Sequence, residues 1–443
     1  MKQPDITVGV MSRSQIDFTL NGRFTLNHSN TIFEGDQSVW LENGKLKLYH
    51  SSNYAEELFF VPENPETSSF ELKDVTIGVN FHWEQQENQV FKGALKLIIE
   101  NNLVTAINVL PIEEYLISVI SSEMSATSSL DLLKAHAIIS RSWLIAQIEK
   151  QEKITEETQQ YESTFSTDNE YIKWYDREDH KHFHVCADDH CQRYQGITRA
   201  ENPNVVRAVN ETSGVILSYQ GTICDARFSK CCGGVAELFE NCWEPVNHPY
   251  LTAVVDNPEL PAGFEKDLTI EKNAVTWLNN SPDAFCNTDD KEVLKQVLNE
   301  YDWTAKDFYR WTMEYSNLQL SELILKRSGN DFGTILDLIP VERGTSGRLI
   351  RLKIVGSKKT LTVGKELEIR RWFSESHLYS SAFTVEKLEL SDGIPGKFML
   401  HGGGWGHGVG LCQIGAAVMG HKEYKYDEIL YHYFKNVDLE KRY

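Results

Sequence analysis

The chain has 443 residues, of which 41% are hydrophobic and 24% are charged, a composition typical of a globular protein with two or three domains. Its formal net charge of −20 argues against nucleic-acid backbones and anionic membrane surfaces as partners. No apolar run reaches about 18 residues, so the sequence predicts no transmembrane helix.

Residues 1–105 are predicted to be rich in β-strands. Apolar and polar residues alternate in several runs, as they do in half-buried strands. The pairs Asn43–Gly44 and Asn101–Asn102 indicate hairpin turns between such runs. The predicted strands are Ile6–Val10, Leu46–Leu48, Glu57–Val61, Val75–Val79, Gly93–Glu100 and Leu103–Asn108.

Two amphipathic helices are predicted to follow. The first begins at Pro111, a preferred first helical residue, and its apolar stripe ends in a carboxylate at Glu123. The second begins near Ser128, where Ser128 and Asp131 match a capping box, and it runs to about Lys150. Because the second helix is apolar over most of its surface, it is predicted to be buried against the first.

Glu123 is the first candidate for catalysis. A carboxyl group at the end of an apolar helix face is expected to be desolvated and to keep its proton nearer neutral pH. A carboxylic acid in that state can protonate a glycosidic oxygen as a general acid. The alternative is that Glu123 is a solvated residue at a helix C-terminus.

Residues 151–181 are polar and acidic and are predicted to be a loop or an insertion. A group of cysteine and histidine residues begins at the end of this stretch. The group consists of His180, His182, His184, Cys186, His190 and Cys191. Thiolates and imidazoles suit zinc, but the spacing of the two cysteines is not that of a standard zinc knuckle. A disulfide and a pair of buried thiols are therefore equal alternatives.

The later part of the chain is predicted to alternate between strands and helices. The predicted segments are strands at Gly214–Tyr219, Asn241–Leu251 and within Gly347–Val363, and helices at Lys291–Tyr301, Leu318–Lys326 and Tyr426–Phe434. Cys231 and Cys232 are adjacent, whereas Cys286 and Cys412 are isolated in the sequence. This spacing is unlike that of a small disulfide scaffold.

A glycine-rich stretch, His401–Gly410, is the most distinctive feature of the sequence. Its glycines indicate positive φ angles or a close approach to a ligand, and Trp405 and His407 add a flat face and a titratable ring. A helix is predicted from Leu411 to Gly420, and a glycine loop before a helix suits an anion or a sugar. A phosphate loop would need Gly-Lys-Ser/Thr, and the HGGG motif of esterases would need a later G-x-S-x-G; the sequence has neither.

The glycine-rich stretch resembles the SpoIID/LytB family of stage II sporulation protein D and amidase-enhancer proteins. The run from Gly404 to Gly410 is similar to the family motif GRGWGHGVGMSQYGA. The similarity continues at Gln413, Gly415 and Ala416, with Cys412 and Ile414 in place of the usual Ser and Tyr.

Two further segments carry the same resemblance. Residues 110–142 are similar to LPLEEYL…EMP…LKAQAVAART, with Ser125 in place of Pro and His136 in place of Gln. Residues 228–237 are similar to S-x-x-S-G-G-x-x-E, with Cys232 where Ser is usual. A nucleophilic Cys232 near Lys230 is a rival interpretation of this last segment.

The resemblance implies a lytic transglycosylase that acts on peptidoglycan glycan strands lacking stem peptides. One carboxylic acid then protonates the bond between N-acetylmuramic acid and N-acetylglucosamine. The resulting carboxylate takes the proton of the sugar's 6-hydroxyl and closes a 1,6-anhydro ring, so one acid suffices. The family's catalytic Glu falls on Glu123, and its functional Arg falls on Arg141, which is expected to steady the substrate or orient Glu123.

The resemblance also implies substrate, metal and partner assignments. Some members hold zinc with one histidine and two cysteines in the matching region. The implied residues are Ser229, Lys230, Glu237, Trp405 and His407 in the cleft, and His180, Cys186 and Cys191 at zinc. The alternative to an enzyme is a non-catalytic peptidoglycan-binding modulator of a cell-wall amidase.

The resemblance covers about residues 75–435 with gaps and implies an α+β fold. We predict a β-rich region (1–105), a core with the catalytic helices and the Cys/His segment (106–255), a helical insertion (256–340) and a return to the core (341–443). The cleft is expected between the helix pair at 111–150 and the loop at 401–410. The cell envelope is the expected location, although the first ten residues contain no signal-peptide core and the cytoplasm stays open.

Overall fold

The computed structural model describes residues 3–27, 29, 31–49, 51, 54–78, 84–125, 127–156, 163–175, 180–188, 191–198, 202–262, 264, 267–298 and 308–443. Strands and helices both contribute large parts of it, which confirms the predicted α+β class. Within these ranges, no helix is long and apolar enough to cross a membrane. Val79, His190 and Tyr301, which belong to predicted segments, lie outside the described residues.

The elements are numbered in chain order. The strands are β1 (Asp5–Arg13), β2 (Gln15–Leu26), β3 (Ile32–Glu42), β4 (Lys45–Leu48), β5 (Tyr54–Ala55), β6 (Glu57–Pro62), β7 (Ser69–Ile77), β8 (Gln85–Phe91), β9 (Ala94–Glu100), β10 (Leu103–Pro111), β11 (Thr164–Ser166), β12 (Glu170–Lys173), β13 (Val185–Cys186), β14 (Val215–Tyr219), β15 (Thr222–Ile223), β16 (Phe228–Ser229), β17 (Arg310–Ser316), β18 (Ile335–Arg343), β19 (Leu349–Gly356), β20 (Thr360–Gly364), β21 (Phe383–Leu388), β22 (Lys397–Gly403), β23 (Leu411–Cys412) and β24 (Asp438–Lys441). The α-helices are α1 (Ile112–Glu123), α2 (Leu130–Glu156), α3 (Pro203–Glu211), α4 (Glu271–Leu278), α5 (Lys291–Leu294), α6 (Asn317–Ser328), α7 (Glu366–Trp372), α8 (Gln413–His421) and α9 (Tyr426–Tyr433).

The N-terminal strands form one 11-stranded sheet, which also takes in β13. The strand order is β13-β1-β10-β9-β6-β2-β3-β4-β5, with β7 paired to β2 and β8 paired to β7. The tight turns at Asn43–Gly44 and Asn101–Asn102 have positive φ angles and join antiparallel neighbours, which confirms both predicted hairpins. This sheet supports the start of α1, because β10 runs directly into that helix.

The two predicted helices are confirmed, but the second is capped differently. Pro111 is the N-cap of α1, and the helix ends at Glu123 as expected. At the start of α2, the Ser129 hydroxyl accepts a hydrogen bond from the Leu132 amide at 3.2 Å. The hydroxyl of Ser128 instead donates to the carbonyl of Gln296 at 2.9 Å. The predicted capping box at Ser128 is therefore wrong, since that side chain binds a distant segment.

Three other predicted segments differ from the structure. The span Asn241–Leu251 is not a strand; it follows a short 3-10 helix and consists of turns and irregular backbone. Residues 151–181 are not simply a loop, because α2 continues to Glu156 and the hairpin β11–β12 pairs in parallel with β20. The helix predicted at residue 291 is the single turn α5, which ends at Leu294.

Two hydrophobic cores meet at the glycine-rich loop. The larger core packs the N-terminal sheet against α1, α2, α8 and α9. The second core fills the space between β17–β22 and helices α6 and α7. Residues 404–410 connect β22, which belongs to the second core, to β23 and α8, which belong to the first. The loop is therefore held from two sides.

Candidate functional site

The predicted acid lies at the C-terminal end of α1, where the chain turns away from the helix. Glu123 is half-buried, and its carboxylate forms no hydrogen bond or ion pair within the part of the chain that the structure describes. The turn after it is tied to residue 296, because the Ser125 amide and the Ser128 hydroxyl both donate to the Gln296 carbonyl, at 3.0 and 2.9 Å. We refer to Gln296–Val297 as the bridge segment.

The bridge segment also reaches the strand that carries Ser229 and Lys230. The Lys230 ammonium donates to the carbonyl of Val297 at 2.7 Å. Ser229 is 6% exposed, and its hydroxyl has no hydrogen-bond partner within the described residues. The turn after α1 and Lys230, which follows β16, therefore both contact the bridge segment.

The strand β16 pairs in turn with the glycine-rich segment. Phe228 and Ser229 pair in parallel with Leu411 and Cys412, and the Ile414 amide donates to the Lys230 carbonyl. The glycines at 404, 406, 408 and 410 all have positive φ angles, as the sequence predicts. At Gly408 a Cβ atom would also lie 2.5 Å from the guanidinium carbon of Arg348, so close packing excludes a side chain there.

Trp405 is held by both its backbone and its ring. Its amide and carbonyl exchange hydrogen bonds of 2.8 and 3.0 Å with Cys231. The indole stacks on Phe308 with ring centroids 4.8 Å apart, and Tyr379 packs at the same distance with a tilted ring. The flat face expected of this residue is thus part of a three-ring aromatic cluster that remains partly exposed.

His407 is half-buried, and neighbouring groups hold its ring in place. Its Nδ1 accepts a hydrogen bond from the Val409 amide at 3.0 Å, the backbone of Phe228 bonds to the ring, and Trp243 packs edge-on at 5.1 Å. Burial, followed by the nearby guanidinium groups led by Arg227, holds the pKa of His407 well below 6.5. The ring is therefore neutral at physiological pH and braces the loop.

Arg141 lies far from Glu123, at the opposite end of α1. Its guanidinium is fully buried and binds Glu113 through two hydrogen bonds of 2.9 and 2.6 Å. Glu113 also accepts from the Gly214 amide and the Tyr443 hydroxyl. Because ten residues of helix separate Glu113 from Glu123, about 15 Å along the axis, the structure does not bring Arg141 and Glu123 together.

Glu237 is completely buried, and both of its carboxylate oxygens accept hydrogen bonds inside the protein. Its oxygens accept from the backbone or side chains of four residues, namely Leu238, Asn241, Thr345 and Ser346. It therefore ties the segment after β16 to the turn at Thr345–Ser346. Trp405 is hydrogen-bonded to Cys231, directly after Ser229 and Lys230, so the structure places these three predicted residues together. Glu237 pairs with Val409, two residues after His407.

The predicted zinc ligands are brought together. One ligand atom each from His180, Cys186 and Cys191 lies within 4.8 Å of the others, and the Cys191 sulfur is 3.5 Å from His180 Nε2. None of the chain's eight cysteines, all of which are described, forms a disulfide. Two thiolates and one imidazole fit zinc, so this group could hold a metal beside strand β1.

A large groove lies elsewhere in the molecule. It has a volume of about 1770 Å³ and runs between α4, α5 and the strands β17 and β22. Its polar lining includes Glu271, Arg310, Glu386 and His401, and Glu123 is not part of it. The groove and the acid are therefore distinct features.

Sequence reasoning missed the bridge segment and a second group of metal-binding side chains. No motif marked Gln296–Val297, because its role depends on two carbonyl groups and not on side-chain chemistry. Cys232, Asp256, Cys286 and Cys412 meet in the interior, although they are far apart in sequence. The only sequence feature that pointed to this group was the presence of cysteine at positions 232 and 412, where the family motifs carry serine.

Comparison with known proteins gives two family matches. Residues 100–219 match the family described as Stage II sporulation protein, and residues 237–410 match one described as Domain of unknown function (DUF8618). An uncharacterized protein of Brachyspira hyodysenteriae is 25% identical over 79% of this chain and 72% of its own length.

Two named relatives are similar at comparable levels. The amidase enhancer of Bacillus subtilis is 23% identical over 91% of this chain, which spans half the length of that relative. Stage II sporulation protein D of Bacillus amyloliquefaciens is 22% identical over 74% of each chain.

Proposed function

Because the chain belongs to the SpoIID/LytB family, we propose that it cleaves peptidoglycan glycan strands as a lytic transglycosylase, with Glu123 as the acid and then the base. We place this activity in the cell envelope, where the substrate is. Its relatives are named for sporulation and for enhancing an amidase, and neither name gives a reaction.

One observation carries the proposal. Three of the charged or titratable side chains implied by the motifs, Arg141, Glu237 and His407, are satisfied by partners inside the protein. Glu123 is half-buried, and its carboxylate has no such partner in the described chain. A carboxyl group in that state is available to exchange a proton with a bound sugar.

The chemistry needs only that one group. The protonated Glu123 gives its proton to the glycosidic oxygen as the bond from C1 of the muramyl residue to that oxygen breaks. The Glu123 carboxylate then removes the proton of the 6-hydroxyl, whose oxygen forms the new bond to C1. The proton lost in the first step is regained in the second, so no water is consumed and no second carboxylate is required.

The neighbouring residues have separate roles in this proposal. Lys230 contacts the same bridge segment as the turn after α1, Ser229 precedes it, and Trp405 offers an aromatic surface for a sugar ring. Arg141, Glu237 and His407 act as positioning residues. Arg141 binds Glu113 in the first turn of α1, Glu237 binds the turn at Thr345–Ser346, and His407 binds the Val409 amide in the glycine-rich stretch. We further propose that His180, Cys186 and Cys191 bind a zinc ion whose role is structural.

A second function is a non-catalytic modulator that binds peptidoglycan and acts on a cell-wall amidase. Two observations favour it: the amidase enhancer aligns over 91% of this chain, and the large groove between α4, α5 and the strands β17 and β22 does not contain Glu123. In that case the groove, and not the acid, would bind the glycan or the amidase.

The experiment compares the wild type with Glu123→Gln and Glu114→Gln on glycan strands stripped of stem peptides. Mass spectrometry measures the 1,6-anhydro products. We expect Glu123→Gln to lower the rate about 10²- to 10⁴-fold, the usual contribution of a general acid. Glu114 is a half-buried carboxylate on the same helix, so its variant should keep wild-type activity.

The outcomes separate the two functions. A wild type that forms no anhydro product, yet sediments with peptidoglycan and stimulates an amidase, would refute the transglycosylase and support the modulator. Equal loss of activity in both variants would also count against Glu123 as the acid.

A further inference from the structure

A buried cluster of three cysteines and one aspartate lies beneath the glycine-rich segment. Cys232 follows strand β16, Cys412 ends its partner strand β23, and Asp256 and Cys286 belong to the segment between β16 and β17. All four residues are at most 3% exposed. We propose that these four side chains bind a zinc ion, as a second metal site separate from His180, Cys186 and Cys191.

The distances fit tetrahedral coordination by sulfur and oxygen. One ligand atom from each of the four residues lies within 4.8 Å of the other three. Four ligands at a zinc–sulfur distance of about 2.3 Å would lie about 3.8 Å apart. The sulfur atoms of Cys232 and Cys286 are 3.7 Å apart, so this pair already has that spacing.

The surrounding groups orient the ligands and stabilise negative charge on them. The Cys412 sulfur accepts a hydrogen bond from the Cys232 amide at 3.2 Å, and the Cys232 sulfur accepts one from the Gly234 amide at 3.4 Å. The Asp256 carboxylate accepts from the Tyr433 hydroxyl at 2.7 Å and from the Cys286 amide at 2.9 Å. Hydrogen bonds of this kind hold ligands in place around structural metals.

A disulfide between Cys232 and Cys286 is the rival interpretation. It would use two of the three thiols and leave Cys412 and Asp256 buried beside it without a chemical role. A metal uses all four groups, and a buried carboxylate is stable when it coordinates a cation. The sequence points the same way, because two of the ligands are cysteines at positions where the family motifs carry serine.

The metal would connect three parts of the fold. Cys412 ends β23, which leads out of the glycine-rich stretch, and Cys232 lies two residues after Lys230, just beyond the partner strand β16. Asp256 and Cys286 belong to the segment that also contains the bridge segment further on. Zinc at this point would fix the position of that segment relative to Trp405 and the end of α1.

The test measures zinc by mass spectrometry in the full-length protein, purified under reducing conditions with zinc sulfate present. Cys412→Ser and Cys286→Ser are each expected to lower the zinc content by one equivalent relative to the wild type. Cys224→Ser replaces a buried cysteine outside the cluster and should lower it by none. The same differences are expected in a Cys191→Ser background, which separates this site from the first.

A second measurement does not depend on variants of the cluster. Cobalt(II) added to the Cys191→Ser protein should produce the near-ultraviolet absorption of sulfur-to-cobalt charge transfer, and Cys412→Ser in that background should abolish it. Unchanged zinc in folded Cys412→Ser protein would overturn the proposal. So would a Cys232–Cys286 disulfide in the peptide map of the wild type, or the absence of the cobalt absorption.

Discussion

Replacing Arg141 tests whether this residue of the family motif acts through the fold or at the reaction site. Arg141→Met keeps an unbranched side chain but removes two hydrogen bonds to Glu113, one of 2.9 Å to the Val215 carbonyl and one of 3.4 Å to the Ala137 carbonyl. Removing one partner of a buried ion pair costs about 3–5 kcal/mol, because the other charge stays buried. Tyr443 and Gly214 still donate to Glu113, so we expect the low end, about 3 kcal/mol.

Thermal unfolding followed by circular dichroism is the assay. A loss of about 3 kcal/mol corresponds to a fall of about 6–12 °C in the unfolding midpoint of a folding unit of about 150–250 residues. Adding Glu113→Gln to the variant should recover part of the loss, since it removes the unpaired carboxylate. The control Arg207→Met breaks an exposed ion pair with Glu211 on α3, and the midpoint should change little.

Either of two results would refute a structural role for Arg141. An unchanged midpoint in Arg141→Met would mean that the ion pair contributes nothing to stability. Full stability combined with loss of glycan cleavage would mean that Arg141 acts on the substrate or on Glu123, which the geometry places about 15 Å along α1.

Two further predictions concern buried groups near the loop. Burial, followed by the charge of Lys230, lowers the pKa of His136 to about 3, so below pH 6.5 the unfolded chain binds a proton that the folded chain does not. The free energy of unfolding should therefore fall on acidification, by about 2 kcal/mol at pH 5 for this residue. The unfolding midpoint of His136→Gln should decline less steeply between pH 8 and pH 5 than that of the wild type. Identical slopes would contradict this prediction. Gly408→Ala should lower the unfolding midpoint by more than Gly221→Ala. Both glycines have positive φ angles, so both variants strain the backbone. Only at Gly408 would the new methyl group meet Arg348, because a Cβ atom at Gly221 would have no neighbour within 4 Å. Equal losses in the two glycine variants would show that backbone strain alone, of about 1–2 kcal/mol, accounts for the effect.

Local patterns predicted the elements that depend on local chemistry. Alternation of apolar and polar residues located most N-terminal strands, and Pro111 marked the start of α1. The family resemblance implied that His180, Cys186 and Cys191 form one group, and one ligand atom from each does lie within 4.8 Å of the others. By contrast, the Ser128 cap was mispredicted, since its hydroxyl binds a carbonyl 168 residues away.

The rest depended on long-range contacts that no spacing encodes. Cys286 and Cys412 are isolated in the sequence but meet Cys232 and Asp256 in the interior. The bridge segment has no recognisable motif, yet it joins Ser125 and Ser128 to Lys230 through two backbone carbonyls. Whether a polar residue faces solvent or the core is likewise a tertiary property, and Glu237, fully buried, could not be distinguished from a cleft residue beforehand.

The motif residues can be divided by what each side chain still has available. Arg141, Glu237 and His407 hold together segments that lie far apart in sequence, and each is engaged in hydrogen bonds inside the protein. These contacts give each of the three a structural role. Glu123 has no such contact, because its half-buried carboxylate forms no hydrogen bond or ion pair within the described residues. The proposal of a glycan-cleaving acid therefore depends on Glu123, and not on the number of motif positions that match.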